Sequence, residues 1–136
     1  MAFPPGFLDE LRNRISLSGL IGRHVRLTRR GRVLVADREN DRVQVFDQTG
    51  KLLTIWSTEL IGPAFFYVDD EDTVYIPEHN GGMVSILTLD GERLARWGDP
   101  IHRSCHGIWC DSHHDLYVVQ PGEWGRIRRI VKYHRQ

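Results

Sequence analysis

Past residue 32 the apolar positions fall in short runs of four to six residues, and the runs recur. Val33-Leu34-Val35-Ala36-Asp37, Val74-Tyr75-Ile76-Pro77-Glu78 and Leu116-Tyr117-Val118-Val119-Gln120 are spaced by 41 and then 42 residues. A second register keeps the interval: Thr49-Gly50-Lys51-Leu52-Leu53-Thr54-Ile55-Trp56 falls on Asp90-Gly91-Glu92-Arg93-Leu94-Ala95-Arg96-Trp97 at an offset of 41. A third matches Tyr67-Val68-Asp69 to Trp109-Cys110-Asp111 at 42. Three registers agreeing on one period mark a structural repeat.

Turn-forming residues divide the runs: Gln48-Thr49-Gly50, Asp69-Asp70-Glu71-Asp72, Asp90-Gly91 and Asp111-Ser112-His113-His114-Asp115. Asp, Asn, Ser and Gly tolerate turn geometry or hydrogen-bond their own backbone. Each period therefore predicts four short antiparallel strands in a meander. In the complete unit these lie near Phe65–Val68, Val74–Ile76, Met83–Leu89 and Arg93–Trp97. Four such strands every forty residues make a propeller blade. The expected fold is all-β, a partial β-propeller of about three four-stranded blades: 33–57 partial, 62–98 complete, and 105–134 lacking its outer strand. The nearly continuous apolar runs Val33–Ala36 and Val74–Ile76 predict strands covered on both faces, whereas the alternation in Arg42–Val45 and Met83–Ile86 predicts strands nearer solvent.

Residues 1–32 follow another pattern. Prolines, then Asp9 and Glu10, then Arg12 and Arg14, with Phe7, Leu8, Leu11 and Ile15 on one stripe, predict a short helix over 4–15, and a second turn follows through Ser18–Ile21. His24–Thr28 and Arg29-Arg30-Gly31-Arg32 read as a strand and a tight turn into Val33. Charge divides at the same place. Seven arginines against Asp9 and Glu10 give residues 1–32 a net +5, and eleven Lys and Arg against sixteen Asp and Glu give the remainder −5. The basic turn holds Arg23, Arg26, Arg29, Arg30 and Arg32, a candidate phosphate-binding cluster. No aromatic residues are interleaved to stack bases, so a solvated hairpin is the plainer reading and nucleic acid is not the expected partner.

At 136 residues, 40% apolar and 26% charged, the chain fits one ordinary folded domain with an appendage. No run approaches the ~18 apolar residues of a membrane span, and the first residues carry no signal pattern. The expectation is a protein off the membrane and cytoplasmic as written. Cys105 and Cys110 read as members of one strand, facing opposite ways and unable to bridge.

The residues Val35-Ala36-Asp37-Arg38-Glu39-Asn40-Asp41-Arg42-Val43-Gln44-Val45-Phe46-Asp47, with His106-Gly107-Ile108, Asp111 and Asp115–Val118, resemble NHL repeats. Within that superfamily the Asp-Arg-Glu-Asn element is similar to the peptidyl-α-hydroxyglycine α-amidating lyases, which implies a six-bladed propeller. The resemblance implies a zinc-ligand position at His106, with Ala64 at the corresponding place in the complete blade, and a substrate-facing role for Arg38. It implies no calcium, because Gly107 stands where the family has an aspartate. Residues 1–32 resemble instead the start of the bacterial DNA primase zinc-binding domain, in Phe3-Pro4-Pro5-Gly6-Phe7-Leu8-Asp9-Glu10-Leu11-Arg12 and Gly22-Arg23-His24-Val25-Arg26-Leu27. The zinc ligands of that domain are replaced here by Val33–Asp37. A fusion, in which the primase-like strand and turn stand in for a blade's first strand, accounts for both breaks.

A catalytic zinc needs three protein ligands, and the chain offers His106, with His24 near the register of a second. The plainer reading of His106 is a strand-start histidine that caps a loop or packs at the channel rim. Arg38 can grip a carboxylate with its fork, or pair with Asp37, Glu39 or Asp41. His102, Cys105, His106, Cys110, His113 and His114 crowd together, but extended spacing keeps them from converging as a zinc knuckle. Three functions follow as expectations. The first is a catalytically incomplete propeller piece that binds protein or peptide on one face. The second is a zinc-dependent amidating-type lyase completed by further blades or by dimerisation, and the third a nucleic-acid-binding remnant of primase. Open sheet edges predict self-association.

Overall fold

The structure, a computed structural model, describes Pro5 and residues 24–98, 105–121 and 127–134. Apart from Pro5, the helix expected over 4–15 lies outside the described residues, as do the turn at 18–21, Arg23 and His102. Eleven strands are described: β1 His24–Leu27, β2 Val33–Asp37, β3 Arg42–Phe46, β4 Leu52–Ile55, β5 Tyr67–Val68, β6 Val74–Glu78, β7 Met83–Leu87, β8 Arg93–Gly98, β9 Gly107–Cys110, β10 Leu116–Pro121 and β11 Ile127–Tyr133. They form three antiparallel meanders: β1-β2-β3-β4, β5-β6-β7-β8 and β9-β10-β11. This is the all-β partial propeller that the repeat predicts, with three strands described in the last blade.

The boundary drawn at residue 32 falls in the turn between β1 and β2, which pair from His24↔Ala36 to Leu27↔Val33 within one sheet. The turn is closed by Gly31 N–H donating to the Thr28 carbonyl at 3.0 Å and Thr28 N–H to the Arg32 carbonyl at 2.8 Å. Gly31 has φ +73°, which glycine adopts without the Cβ penalty.

Alternation along each second strand gives the blade two faces. Leu34 and Ala36 of β2 meet Phe66, Val74, Ile76 and Leu87 in one core between blades one and two. On the other side of blade two, Tyr67, Tyr75, Val84 and Trp97 pack against Ile108, Leu116 and Val118 of blade three. Val33, Val35 and Phe46 form a third cluster with Val25 and Leu27 on the remaining face of blade one. β2 is buried at all five positions, as its apolar run predicts.

Two expectations are corrected here. β3 and β7 do not lie near solvent: Gln44 is 3% exposed and Ser85 is fully buried. Their polar side chains alternate with apolar ones because each bonds a buried carboxylate, described below. Cys105 and Cys110 are not on opposite faces of one strand. Cys105 precedes β9, and both cysteines are buried and free in the core between blades two and three.

The aspartates at the turns act alike in every blade. Oδ1 of Asp47, of Asp69 and of Asp111 each accepts two backbone N–H groups, two and four residues on: Thr49 and Lys51, Glu71 and Thr73, His113 and Asp115, all at 2.9–3.0 Å. Tyr75 Oη donates to Asp69 Oδ2 at 3.1 Å and Tyr117 Oη to Asp111 Oδ2 at 3.0 Å. One tyrosine locks the same turn in two blades.

Candidate functional site at the strand ends

The site is built from what ends the second strand of each blade. Those positions are Asp37 and Glu78, the last of β2 and β6, and Gln120, the last but one of β10, at 0%, 0% and 5% exposure. A buried carboxylate is costly unless charged and neutral donors surround it, and both acids are so surrounded. Glu78 Oε1 accepts from Ser85 Oγ at 2.6 Å and Arg96 Nε at 3.0 Å, while its Oε2 accepts from Arg96 Nη2 and the Ile61 N–H, each at 2.7 Å. Asp37 accepts from Asn40 Nδ2 at 2.8 Å, Arg42 Nε at 2.8 Å and Gln44 Nε2 at 3.1 Å. Gln120 takes the place in blade three, its Oε1 accepting from Arg129 Nε. Each blade thus anchors its strand end to an arginine, Arg42, Arg96 or Arg129.

The residue after the anchored acid is thereby fixed at the end of the blade. In blade one it is Arg38, which opens a single 3-10 turn, Arg38–Asn40, closed by Asp41 in left-handed conformation at φ 53°. In blade two, 41 residues on, it is His79. Asp41 Oδ1 accepts the Gly62 N–H at 2.6 Å, and His79 N–H donates to the Gly62 carbonyl at 2.7 Å, so one loop of blade two is tied to both strand ends. His106 enters from blade three. Its N–H donates to the Val119 carbonyl at 2.9 Å just as that of Ala64 donates to Pro77 at 3.0 Å, so the two positions correspond as the repeat implies.

Three blades therefore send Arg38, His79 and His106 to the same end. The His79 and His106 rings meet edge to face with centroids 5.7 Å apart. The His79 imidazole is held below its ordinary pKa, first by burial, then by the Arg38 guanidinium and by His106, against a smaller opposing pull from Glu39. Arg38 is 15% exposed and shares Glu39 Oε1 through Nε at 2.9 Å and Nη2 at 2.8 Å. The pairing with Glu39 is one of those open to it in the sequence; contact with Asp37 goes to Arg42 instead. His106 is exposed. His24 lies elsewhere in the packing, stacked on Phe65 at 3.8 Å between centroids, and burial followed by Arg26 lowers its pKa.

His79 was not singled out from the sequence, although a signal existed: it occupies Arg38's place one repeat on. The cluster offers two imidazoles and one guanidinium, a set suited to hydrogen-bonding a carboxylate. Among the described residues no group of three His, Cys, Asp or Glu side chains converges to hold a metal ion. His79 and His106 supply two imidazoles where a catalytic zinc requires three ligands, so these residues alone do not fit a catalytic zinc.

The arginines of the first turn point to the neighbouring blade. Arg29 pairs with Asp70 at 2.5 Å, Arg30 with Asp72 at 2.7 Å and Arg32 with Asp90 at 2.7 Å. Each partner lies in blade two, 41, 42 and 58 residues along, so the basic turn docks on acidic turns. Arg26 is exposed and lines a small cleft with Tyr67 and Trp109.

No family model matches the sequence, and no curated protein matches it. Solved structures do. A protein of unknown function from Bacteroides caccae aligns with TM-score 0.67 and 12% identity over 83% of this chain and 46% of its own. Virginiamycin B lyase from Staphylococcus aureus aligns with TM-score 0.63 and 14% identity over 87% and 43%, and a streptogramin B lyase with TM-score 0.58 and 14% over 84% and 41%. The chain spans less than half the length of each. At such identity the likeness speaks for architecture, and with the three stacked meanders it makes this chain a segment of a β-propeller.

Proposed function

We propose that this propeller segment is a binding module, catalytically incomplete by itself, whose strand-end cluster of Arg38, His79 and His106 receives a peptide or small molecule through a carboxylate. The supporting observation is that successive blades deliver one polar side chain each to the same end, with the two imidazoles in ring contact. Arg38 forms one arm of the grip, and an incoming carboxylate competes with Glu39 for its guanidinium. Titrating ¹⁵N-labelled protein with a short glycine-terminated peptide acid tests this. The free acid is expected to shift the side-chain resonances of His79 and His106 in a saturable way, while the C-terminal amide is not. Arg38→Ala should weaken the acid about tenfold, the scale of a lost charge-assisted pair. Equal response to acid and amide overturns the reading.

A second reading, a zinc-dependent lyase of the peptidyl-α-hydroxyglycine type, draws support from the His79–His106 contact and from the resemblance around Asp37–Asn40. It requires a further ligand from other blades or a second copy. Zinc retained after dialysis against a weak chelator, and lost in His106→Ala, is its signature. The nucleic-acid reading draws on the arginine turn, where Arg29, Arg30 and Arg32 each face a carboxylate; salt-dependent DNA binding is what it requires.

A further inference from the structure

The loop over residues 59–63, between β4 and β5, stands at the same end of the blades as Arg38, His79 and His106. It is fixed there by the residues that frame the cluster. Ile61 N–H donates to Glu78 Oε2 at 2.7 Å, Gly62 N–H donates to Asp41 Oδ1 at 2.6 Å, and the Gly62 carbonyl accepts from the His79 N–H at 2.7 Å. Glu78 directly precedes His79, and Asp41 closes the turn that Arg38 opens. Gly62 itself has φ +64°, and a Cβ on it would stand 3.0 Å from the Asn80 backbone nitrogen, so the loop has this course only with glycine there.

Two adjacent apolar side chains in this loop go opposite ways. Leu60 is 3% exposed, in the core between blades one and two, whereas Ile61 is 44% exposed. With its own N–H and both backbone groups of Gly62 committed, Ile61 cannot follow Leu60 inward. It lies instead on the turn that carries His79: a Cβ built on Gly81 would be 3.1 Å from Ile61 Cβ and 3.6 Å from its Cγ2. That turn is as fixed as the loop, since the N–H groups of Gly81 and Gly82 both donate to the Glu78 carbonyl, at 3.2 and 3.0 Å. A branched apolar side chain is thus held partly in solvent beside one arm of the polar cluster. Apolar surface joined to a few placed polar groups is the composition of a ligand site, and surface already rigid loses little freedom when it is covered.

From this we infer that Ile61 is the specificity-determining residue of the strand-end cluster, and that the ligands preferred there are peptide acids whose last residue carries an aliphatic side chain. That side chain packs on Ile61 while Arg38, His79 and His106 hold the carboxylate. The inference rests on the carboxylate reading of the cluster and supplies what the polar residues cannot. A guanidinium and two imidazoles grip the acid of any peptide alike, so discrimination between peptides falls to the apolar neighbour. A glycine-terminated acid uses the polar grip alone.

The test titrates the full chain with Ala-Ala-Gly-Leu and Ala-Ala-Gly-Asn, each as the free acid and as the C-terminal amide; leucine and asparagine are close in size and differ in polarity. The leucine acid is expected to bind about tenfold tighter than the asparagine acid, the scale of one aliphatic side chain moved from water onto one apolar partner. Ile61→Asn should bring the two acids within about twofold of each other and leave the asparagine acid at its original affinity, which also shows that the variant is folded. Ile61→Val, which keeps a branched apolar surface, should retain most of the preference. Equal affinity for the two acids, with both tighter than their amides, overturns the role of Ile61 and leaves the carboxylate grip standing. Acids that bind no tighter than their amides overturn the grip and the role of Ile61 together. A leucine preference that survives in Ile61→Asn places the apolar contact elsewhere and overturns the inference as well.

Discussion

At the residue scale the decisive groups are the buried strand-end acids. Glu78 has no exposed surface, yet all four of its hydrogen bonds are made, two of them to one guanidinium in a fork. Removing one partner of such a pair leaves the other uncompensated, which costs about 3–5 kcal/mol. Glu78→Ala is therefore expected to lower the urea midpoint steeply, and Glu78→Gln, which keeps the shape and the Ser85 and Ile61 bonds, to cost less. Similar losses for the two would mean that Arg96 finds another partner. The histidines make a separate prediction in pH. His24 and His79 both have folded-state pKa values below the ordinary 6.5. The unfolded chain thus takes up protons first as pH falls, and stability declines from about pH 7 through the unfolded pKa until the folded pKa is reached. The lowered carboxyls of Asp47 and Asp111 act only at lower pH, below the ordinary 3.8. His79→Gln should flatten the slope of unfolding free energy between pH 7 and 5; an unchanged slope would place the proton uptake elsewhere.

At the scale of elements, the sequence was readable wherever one pattern had one cause. β2 and β6 are strands because their runs of Val, Leu and Ile are covered on both faces, and Asp69 and Asp111 end strands because their side chains take up the turn's own N–H groups. β3 and β7 misled because a polar residue at every second position has two causes, solvent or a buried partner. Gln44 and Ser85 have the second, and only the position of Asp37 and Glu78 across the strand reveals it. His79 escaped notice for a related reason, since nothing local separates a strand-end histidine from a loop residue until the repeat places it beside Arg38. Fourth-strand entry depends on Gly91, whose φ of +87° and contact with the Trp56 ring both demand glycine. Gly91→Ala should cost about 2 kcal/mol or more through backbone strain and overpacking. Gly107→Ala, where the nearest atom to a new Cβ is 3.8 Å away on Val119, should be nearly neutral. Chemical denaturation of both variants checks the contrast.

For the molecule as a whole, blades in a row make stability a sum of neighbour terms. Period, blade order and the three described strands of the last blade were visible in the sequence. The inequality of the two interfaces was not, because it depends on which side chains meet across a gap. Between blades one and two, eleven buried apolar residues from Leu34 to Leu89 form one cluster, and Arg29, Arg30 and Arg32 reach Asp70, Asp72 and Asp90 beside it. Those exposed pairs add at most about 1 kcal/mol each and weaken with salt, so the apolar cluster carries the interface. Between blades two and three the described residues give six buried ones, two of them free cysteines, with Phe65, Tyr67, Tyr75, Trp97 and Tyr133 only partly buried beside them. Blade three should consequently open first. Native-state hydrogen exchange is expected to show amides of β9–β11 exchanging through a lower-energy opening than those of β2, β3, β6 and β7. Ile76→Ala, at 0% exposure in the larger cluster, should cost about 2–5 kcal/mol and lower protection throughout. Ile108→Ala, at 4%, should lower it in β9–β11 while leaving β2 and β3 unchanged. Uniform loss in both variants would mean that the three blades open as one unit, and the nearest-neighbour account of this chain would fail.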